Sequence, residues 1–311
     1  MEILWLGDPA CMDARLVGGK AANLSRLAAE YRVPPGFCLS AVAYDRVESE
    51  RLRAGEAAAG RETLLAALGP ALGHAYRELA RRCGQDEPSV AVRSSAIDED
   101  GLGSSFAGQY ETLLNVVGID AVADAVLHCW ASGQAAQVLA YRRRHGLEAE
   151  GGRMAVLVQQ LVKADISAVV FSANPITGSR EEVVINASWG LGESIVGGTV
   201  TPDTCTVRKA NLAIISRQVA EKRRMTVRAP EGTREVDVPR LLRTEPALED
   251  EQAKDMARLA AALEKQMGWA VDLECAYQDG ELYLLQCRPV TTVTGGEPVA
   301  NREPEERNDF E

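Results

Sequence analysis

The chain has 311 residues and a mass of 33.4 kDa, with 34 basic and 45 acidic side chains and a net charge of −11 at pH 7. Hydrophobic residues make up 46% and charged residues 25% of it, the balance of a packed globular protein, which excludes bulk disorder and an integral membrane protein. A pI near 5.0 excludes binding to a phosphate backbone as the main task, so neither a nucleic-acid nor a membrane partner is expected.

Residues 19–31 carry Leu24, Leu27, Ala28 and Tyr31 at helical spacing and stop at Val33-Pro34-Pro35-Gly36, where two prolines and a glycine force a turn. Phe37 to Leu39 reads as a strand. From Ala41 to Cys83 the run of Ala, Leu, Arg and Glu predicts helices, divided at Gly69-Pro70. Ser89 to Arg93 reads as a short strand, residues 98–105 as a polar, Gly-rich loop, and Tyr110 to Val117 as a strand again. Asp120 to Arg144 is predicted as one long helix, its basic last turn closed by His145 and Gly146, with a boundary over 146–153. Beyond it, Met154 to Val162, Ser167 to Ser172, Val183 to Ser188 and several short segments between Pro202 and Pro239 read as strands. A helix over Leu248 to Met267 ends at Gly268, and Ala270 to Pro289 reads as a hairpin turning at Asp279-Gly280. Residues 294–311 are Gly, Pro, Asn and mostly acidic, the composition of a disordered tail. Seven scattered cysteines without CxxC spacing read as reduced thiols, and Met1 to Asp13 does not resemble a signal peptide, so a cytoplasmic location is expected.

Taken singly, the polar motifs are ambiguous. Gly18-Gly19-Lys20 before a helix offers backbone N–H groups and an ammonium to a phosphate, yet alone it reads more simply as a turn with a solvated lysine. It lacks P-loop spacing. The stretch Arg93 to Gln109 combines a strand-end arginine, hydroxyls and glycines, which suits phosphate or a plain surface loop. Asp272 and Glu274 on one strand, with Gln286 and Arg288 on the next, put hard oxygen donors beside a cation, as Mg²⁺-nucleotide requires or as a solvated hairpin face would carry.

The ordered set changes the reading. Val17-Gly18-Gly19-Lys20-Ala21-Ala22-Asn23-Leu24, Val33-Pro34-Pro35-Gly36-Phe37, Val92-Arg93-Ser94-Ser95, Ser105-Phe106-Ala107-Gly108-Gln109-Tyr110-Glu111-Thr112, Trp189-Gly190-Leu191-Gly192-Glu193 and Gln286-Cys287-Arg288-Pro289 resemble the amino-terminal ATP-binding domain of the phosphoenolpyruvate synthase, pyruvate phosphate dikinase and rifampin phosphotransferase family. The resemblance runs from residue 1 to about 293. It implies an α+β, two-lobed ATP-grasp-like fold, with an N-terminal lobe over 1–153, a C-terminal lobe over 154–293 and the tail after it. It implies that Lys20, Arg93 and Arg288 contact the ATP phosphates and act catalytically by positioning and charge neutralisation. Ser104, Ser105, Gly108 and Gln109 would cover the phosphates, and Gln159, Gln160, Leu161 and Val162 would bind the adenine edge. Glu274 and Gln286, with Asp272 nearby, match Mg²⁺ ligands. The roles of Trp189 to Glu193 and of Thr201-Pro202-Asp203 are left open.

Relatives in this family pass a phosphoryl group through a histidine that follows a Gly-Gly-x-x-Ser/Thr-type lead. His74, His128 and His145 lack that lead, so the resemblance implies a separate partner chain or a missing domain carrying the acceptor histidine. The expected activity is the ATP-binding part of a dikinase-type phosphotransferase, releasing AMP and phosphate and serving a pyruvate-like, phenol- or cresol-like, or antibiotic hydroxyl acceptor. An ATP-grasp ligase that forms an acyl phosphate and ADP, and a non-catalytic ATP sensor, are the alternatives. For the last hairpin, a two-residue turn would place Glu274 and Gln286 on opposite faces. A three-residue loop is therefore expected, pairing Tyr277 with Glu281 and Asp272 with Gln286, and packing Tyr283, Leu285 and Cys287 behind.

Overall fold

The computed structural model describes residues 1–54, 60–97, 111–135, 138–139 and 152–290. The chain is mixed α and β, with antiparallel sheets. The first sheet has the order β1-β2-β5-β3-β4, built from β1 (Ile3–Trp5), β2 (Gly36–Leu39), β3 (Val90–Ala96), β4 (Thr112–Val116) and β5 (Met154–Gln160). Every pairing in it is antiparallel. Strand β5, expected to open the second lobe, sits in the middle of this first sheet, bonded to β2 on one side and β3 on the other. Its uninterrupted run of buried residues, Met154 to Gln159, is what a central strand covered on both faces needs.

One face of this sheet packs on α2 (Ala41–Ala54), α3 (Arg61–Cys83) and α4 (Ile119–Ser132). Two helix boundaries differ from expectation. Gly69-Pro70 lies inside α3 and does not divide it. Gly69 has no Cβ to collide with the proline ring, Pro70 and Ala66 are exposed so that the orphaned carbonyl reaches water, and Leu64, Leu68, Leu72 and Leu79 keep one face buried across the site. Each such leucine contributes roughly 1.5–3 kcal/mol, comparable with the cost of the proline. Helix α4 ends at Ser132, with Gly133 as its C-cap, and does not run on to Arg144 as one element; the Trp130 indole N–H near its end donates to the Met154 carbonyl at 3.0 Å. Arg142 to His145, the loop 98–105 and the tail 294–311 lie outside the described residues.

The second sheet has the order β13-β12-β6-β7-β8-β9, from β6 (Ile166–Phe171), β7 (Glu182–Trp189), β8 (Asp203–Arg208), β9 (Ile214–Gln218), β12 (Val271–Gln278) and β13 (Glu281–Pro289). Ala168, Val170, Ile185, Leu273 and Cys287 share one core with α6 (Asp250–Met267), with α1 (Ala14–Leu27), and with Leu4, Cys38 and Leu157 of the first sheet. Helix α1 therefore lies against both sheets. A separate hairpin, β10 (Arg224–Arg228) with β11 (Thr233–Asp237), completes the described strands. Among the described residues no helix is long and apolar enough to cross a membrane, and all seven cysteines are free thiols.

The last hairpin corrects the expected loop. Gln278 pairs with Glu281, so Asp279-Gly280 is a two-residue turn, with φ of 52° and 78° at its two positions. Both values are the positive ones that a type I′ turn demands. A bulge at Leu285 then shifts the register, so that Glu274 pairs with Gln286 and Asp272 with Arg288. Leu282 and Leu284 join Cys287 on the core side, while Tyr283 faces Arg32, whose guanidinium lies 5.5 Å from the ring centre.

Candidate functional site

The site starts from a glycine. At Gly18 the backbone leaves the helical region, with φ 74° and ψ 166°, and breaks α1 in two. A Cβ there would lie 2.3 Å from the Ser95 carbonyl oxygen, so only glycine lets the helix approach β3 this closely. The second segment of α1 consequently begins against β3. The Ala21 N–H donates to Ser95 Oγ at 3.3 Å, and Lys20 Nζ donates to the Ser94 carbonyl at 3.4 Å. On its far side, Asn23 Nδ2 donates to the Cys287 carbonyl of β13 at 3.2 Å. One helix thus fixes the first sheet's Arg93 strand relative to the second sheet's last hairpin.

Arg93 is 9% exposed. One terminal nitrogen donates to the Leu285 carbonyl at 3.2 Å and lies 3.3 Å from a Glu274 carboxylate oxygen. The Leu285 carbonyl is the one turned out by the bulge, so the register shift both aligns Glu274 with Gln286 and supplies Arg93 with an acceptor. Among the described residues, Arg93 Nε is buried without a hydrogen-bond partner. A buried guanidinium N–H left unbonded is costly, and a bound acceptor would relieve it. Two residues along β12, Asp272 is buried, and its carboxylate accepts from Arg288 Nε at 2.8 Å, with the Arg288 terminal nitrogen also at 2.8 Å. Burial pushes the Asp272 carboxyl above its ordinary value, while the Arg288 charge and hydrogen bond pull it back.

Beside Arg93 and Glu274 lies a cavity of about 240 Å³. Its walls are mostly apolar, with Leu114 from β4, Leu161 and Val162 after β5, and Leu191, Ile195 and Val196 from the segment after β7. Thr112, Ser167 and Glu193 add polar groups. An apolar slot with a cation and a carboxylate at its wall can hold a flat heteroaromatic ring with an anionic extension.

The candidate residues fall into three groups. Lys20, Arg93, Asp272, Glu274, Gln286 and Arg288 are brought together by α1, β3 and the β12–β13 pair. Leu161 and Val162 line the cavity, whereas Gln159 and Gln160 do not. Gln159 sits in the sheet opposite Gly36 and Ala91, with its side-chain amide donating to the Pro34 carbonyl, and the Gln160 N–H donates to the Pro35 carbonyl. Ser104, Ser105, Gly108 and Gln109 lie outside the described residues, as does His145. His74 is exposed on α3, and His128 on α4 lies 4.0 Å from a Glu111 carboxylate oxygen.

The side chains here that could donate to a divalent cation are Glu274 and Gln286. Asp272 is committed to Arg288, and among the described residues no group of three or more His, Cys, Asp or Glu side chains could hold a metal by itself. That donor set fits Mg²⁺, which is commonly held by one or two carboxylates together with phosphate oxygens.

Two motifs left without a role acquire one. Trp189-Gly190-Leu191-Gly192-Glu193 turns out of β7 into α5 (Glu193–Val196) and forms a cavity wall. Gly190 has φ 79°, and a Cβ on it would lie 2.4 Å from the Thr226 carbonyl, which signals its need for glycine. Asp203 is a structural anchor: its carboxylate accepts from the fully buried Lys222 ammonium at 2.6 Å and from the Ala220 and Ala247 N–H groups at 2.8 and 2.7 Å.

The family described as "Pyruvate phosphate dikinase, AMP/ATP-binding domain" matches residues 14–309, and the chain belongs to it. It is 36% identical to the phosphoenolpyruvate synthase of Pyrococcus furiosus, over 94% of this chain and 44% of that protein. It is 38% identical to the prodigiosin synthesizing transferase PigC of Serratia marcescens (93% of this chain, 33% of that protein) and 35% identical to the rifampicin phosphotransferase of Streptomyces sviceus (89% and 34%). The chain spans less than half the length of each of these relatives. A solved D-alanyl-alanine synthetase A from Vibrio cholerae aligns over 88% of this chain and 58% of that one at 14% identity and a TM-score of 0.31, too remote to define the fold.

Proposed function

We propose that this domain binds Mg²⁺-ATP in the cavity bounded by β3, β4, β6, β12 and the Leu191 to Gly197 wall, in a two-lobed ATP-grasp-like arrangement. In that reading it serves as the ATP-binding component of a dikinase-type phosphotransferase. The observation that carries the reading is Arg93, a nearly buried guanidinium with one N–H unbonded, beside an apolar slot and a carboxylate. The adenine lies against Leu161, Val162 and Leu191, and Arg93, Lys20 and Arg288 neutralise the phosphates. Glu274 and Gln286 hold Mg²⁺, which supplies charge stabilisation at the phosphoryl oxygens. The chain's own side chains contribute positioning and electrostatics, and the phosphoryl acceptor is a histidine on a partner chain or a further domain. One water is consumed, so that ATP yields AMP, inorganic phosphate and one phosphoryl group on that histidine, and the final acceptor is a small molecule bearing a hydroxyl or an enolisable carbonyl.

The test is ligand-linked stability. Mg²⁺-ATP at ~100 times its dissociation constant should stabilise the chain by about 2.7 kcal/mol, a shift on the order of 5–10 °C in melting temperature. Absence of a shift at millimolar Mg²⁺-ATP would falsify the site. In the complete system, AMP plus phosphate supports the dikinase reading, and ADP as the only nucleotide product supports a ligase.

A further inference from the structure

Asn115 on β4 is buried and adopts φ 57°, an uncommon backbone conformation for a residue other than glycine. Its side chain is fully engaged. Oδ1 accepts from Ser89 Oγ at 2.7 Å, and Nδ2 donates to the carbonyls of Ala229 and Gly232, each at 2.7 Å. Those carbonyls belong to the turn between β10 and β11, so a first-sheet strand grips the tip of this hairpin. The other end of the hairpin is anchored in the second sheet. Val238 N–H donates to the Arg223 carbonyl, and the neighbouring Lys222 ammonium is buried on Asp203 of β8.

Between these anchors the hairpin holds the cavity wall at two points. The Thr226 carbonyl accepts the Leu191 N–H at 2.9 Å, and Thr233 Oγ1 donates to a Glu193 carboxylate oxygen at 2.7 Å. From the opposite side Ser167 Oγ donates to the Gly190 carbonyl at 2.8 Å, so the wall is clamped between the hairpin and the second sheet. Asn115 itself does not line the cavity, although Thr112 and Leu114 on the same strand do.

We propose that Asn115 is a positioning residue for the nucleotide site: it clasps the β10–β11 hairpin as a strap between the two sheets, and through Thr226 and Thr233 holds Leu191 and Glu193 at the cavity. The mechanical part stands on the geometry, and its consequence for nucleotide affinity rests on the proposed ATP site. Asn115→Gly keeps the positive φ accessible and deletes the clasp. Asn115→Asp keeps the shape but turns the donor into an acceptor facing two carbonyls.

Both variants should exchange the Leu191 amide hydrogen at least about tenfold faster than wild type, with α3 and α6 amides unchanged. Both should weaken Mg²⁺-ATP by about tenfold in titration calorimetry, the effect expected from losing two buried hydrogen bonds. Unchanged Leu191 exchange overturns the strap, as does acceleration spread evenly over the whole chain. Fast Leu191 exchange with wild-type nucleotide affinity overturns the positioning role. Arg93→Ala separates the two readings: if wild type and Arg93→Ala show the same response to Mg²⁺-ATP, the site assignment fails, and the exchange data still decide the strap.

Discussion

Arg93 and Arg288 are both cations on the candidate site, yet their surroundings set different expectations. Arg93 has an unbonded Nε and touches Glu274 and the Leu285 carbonyl. Arg93→Ala and Arg288→Ala should each abolish or strongly reduce the Mg²⁺-ATP thermal shift, since a charge-assisted bond contributes roughly 1.5–3 kcal/mol. Arg288 adds a pH signature through Asp272. Burial already raises that carboxyl in the folded state, and removing Arg288 removes the main opposing influence. A carboxyl raised on folding makes the native state bind the proton more tightly, so its cost is absent below the ordinary carboxylate pKa and grows as pH rises through the raised value. The melting-temperature gap between wild type and Arg288→Ala should therefore widen from about pH 4 to about pH 7. A gap independent of pH would contradict the coupling.

At the scale of elements, the β12–β13 hairpin carries the site through one extra residue. Deleting Leu285 would remove the bulge while leaving Glu274 paired with Gln286 and Asp272 with Arg288 on the same face, so its main effect is to take away the carbonyl that Arg93 uses. The deleted form should show a reduced Mg²⁺-ATP shift, because Arg93 loses that acceptor, and an undiminished shift would show that the Leu285 carbonyl is irrelevant to the site. This hairpin also marks where sequence reading stops. Asp279-Gly280 names a two-residue turn, and the chemistry of Glu274 and Gln286 demands a common face. Both demands are met, but by a bulge at a leucine that differs in no visible way from its neighbours Leu282 and Leu284. The strands and a turn at Gly18-Gly19 were legible because periodicity and glycine spacing encode them locally, whereas the grouping of Lys20, Arg93 and the β12–β13 polar residues came only from the resemblance of the ordered motifs to the family. The grip of Asn115 on the turn at 229–232, and the insertion of β5 between β2 and β3, depend on partners far away in the chain and leave no local pattern.

For the whole molecule, the question is where the phosphoryl group goes. His74 is exposed on α3 and His128 sits beside Glu111, and neither lines the cavity beside Arg93. The chain by itself is expected to hydrolyse ATP slowly at most and to phosphorylate no small acceptor. Incubation with β-labelled ATP should leave the protein unlabelled until a histidine-bearing partner is added. Stoichiometric label on His74, His128 or His145 would overturn the division of labour.

The place of β5 has a consequence for biosynthesis. Strands β2 and β3 do not pair with each other; each waits for Met154–Gln160. A ribosome that has made the first 153 residues carries two incomplete ribbons, β1–β2 and β3–β4, with open backbone edges and a gap between them. Unpaired strand edges are templates for association with other chains. A chain terminated after Arg153 should accordingly elute from size exclusion as oligomer or aggregate, and a monodisperse monomer would contradict the expectation. The nascent polypeptide is most exposed to misassembly just before its central strand emerges, which makes that interval the one in which a chaperone would matter.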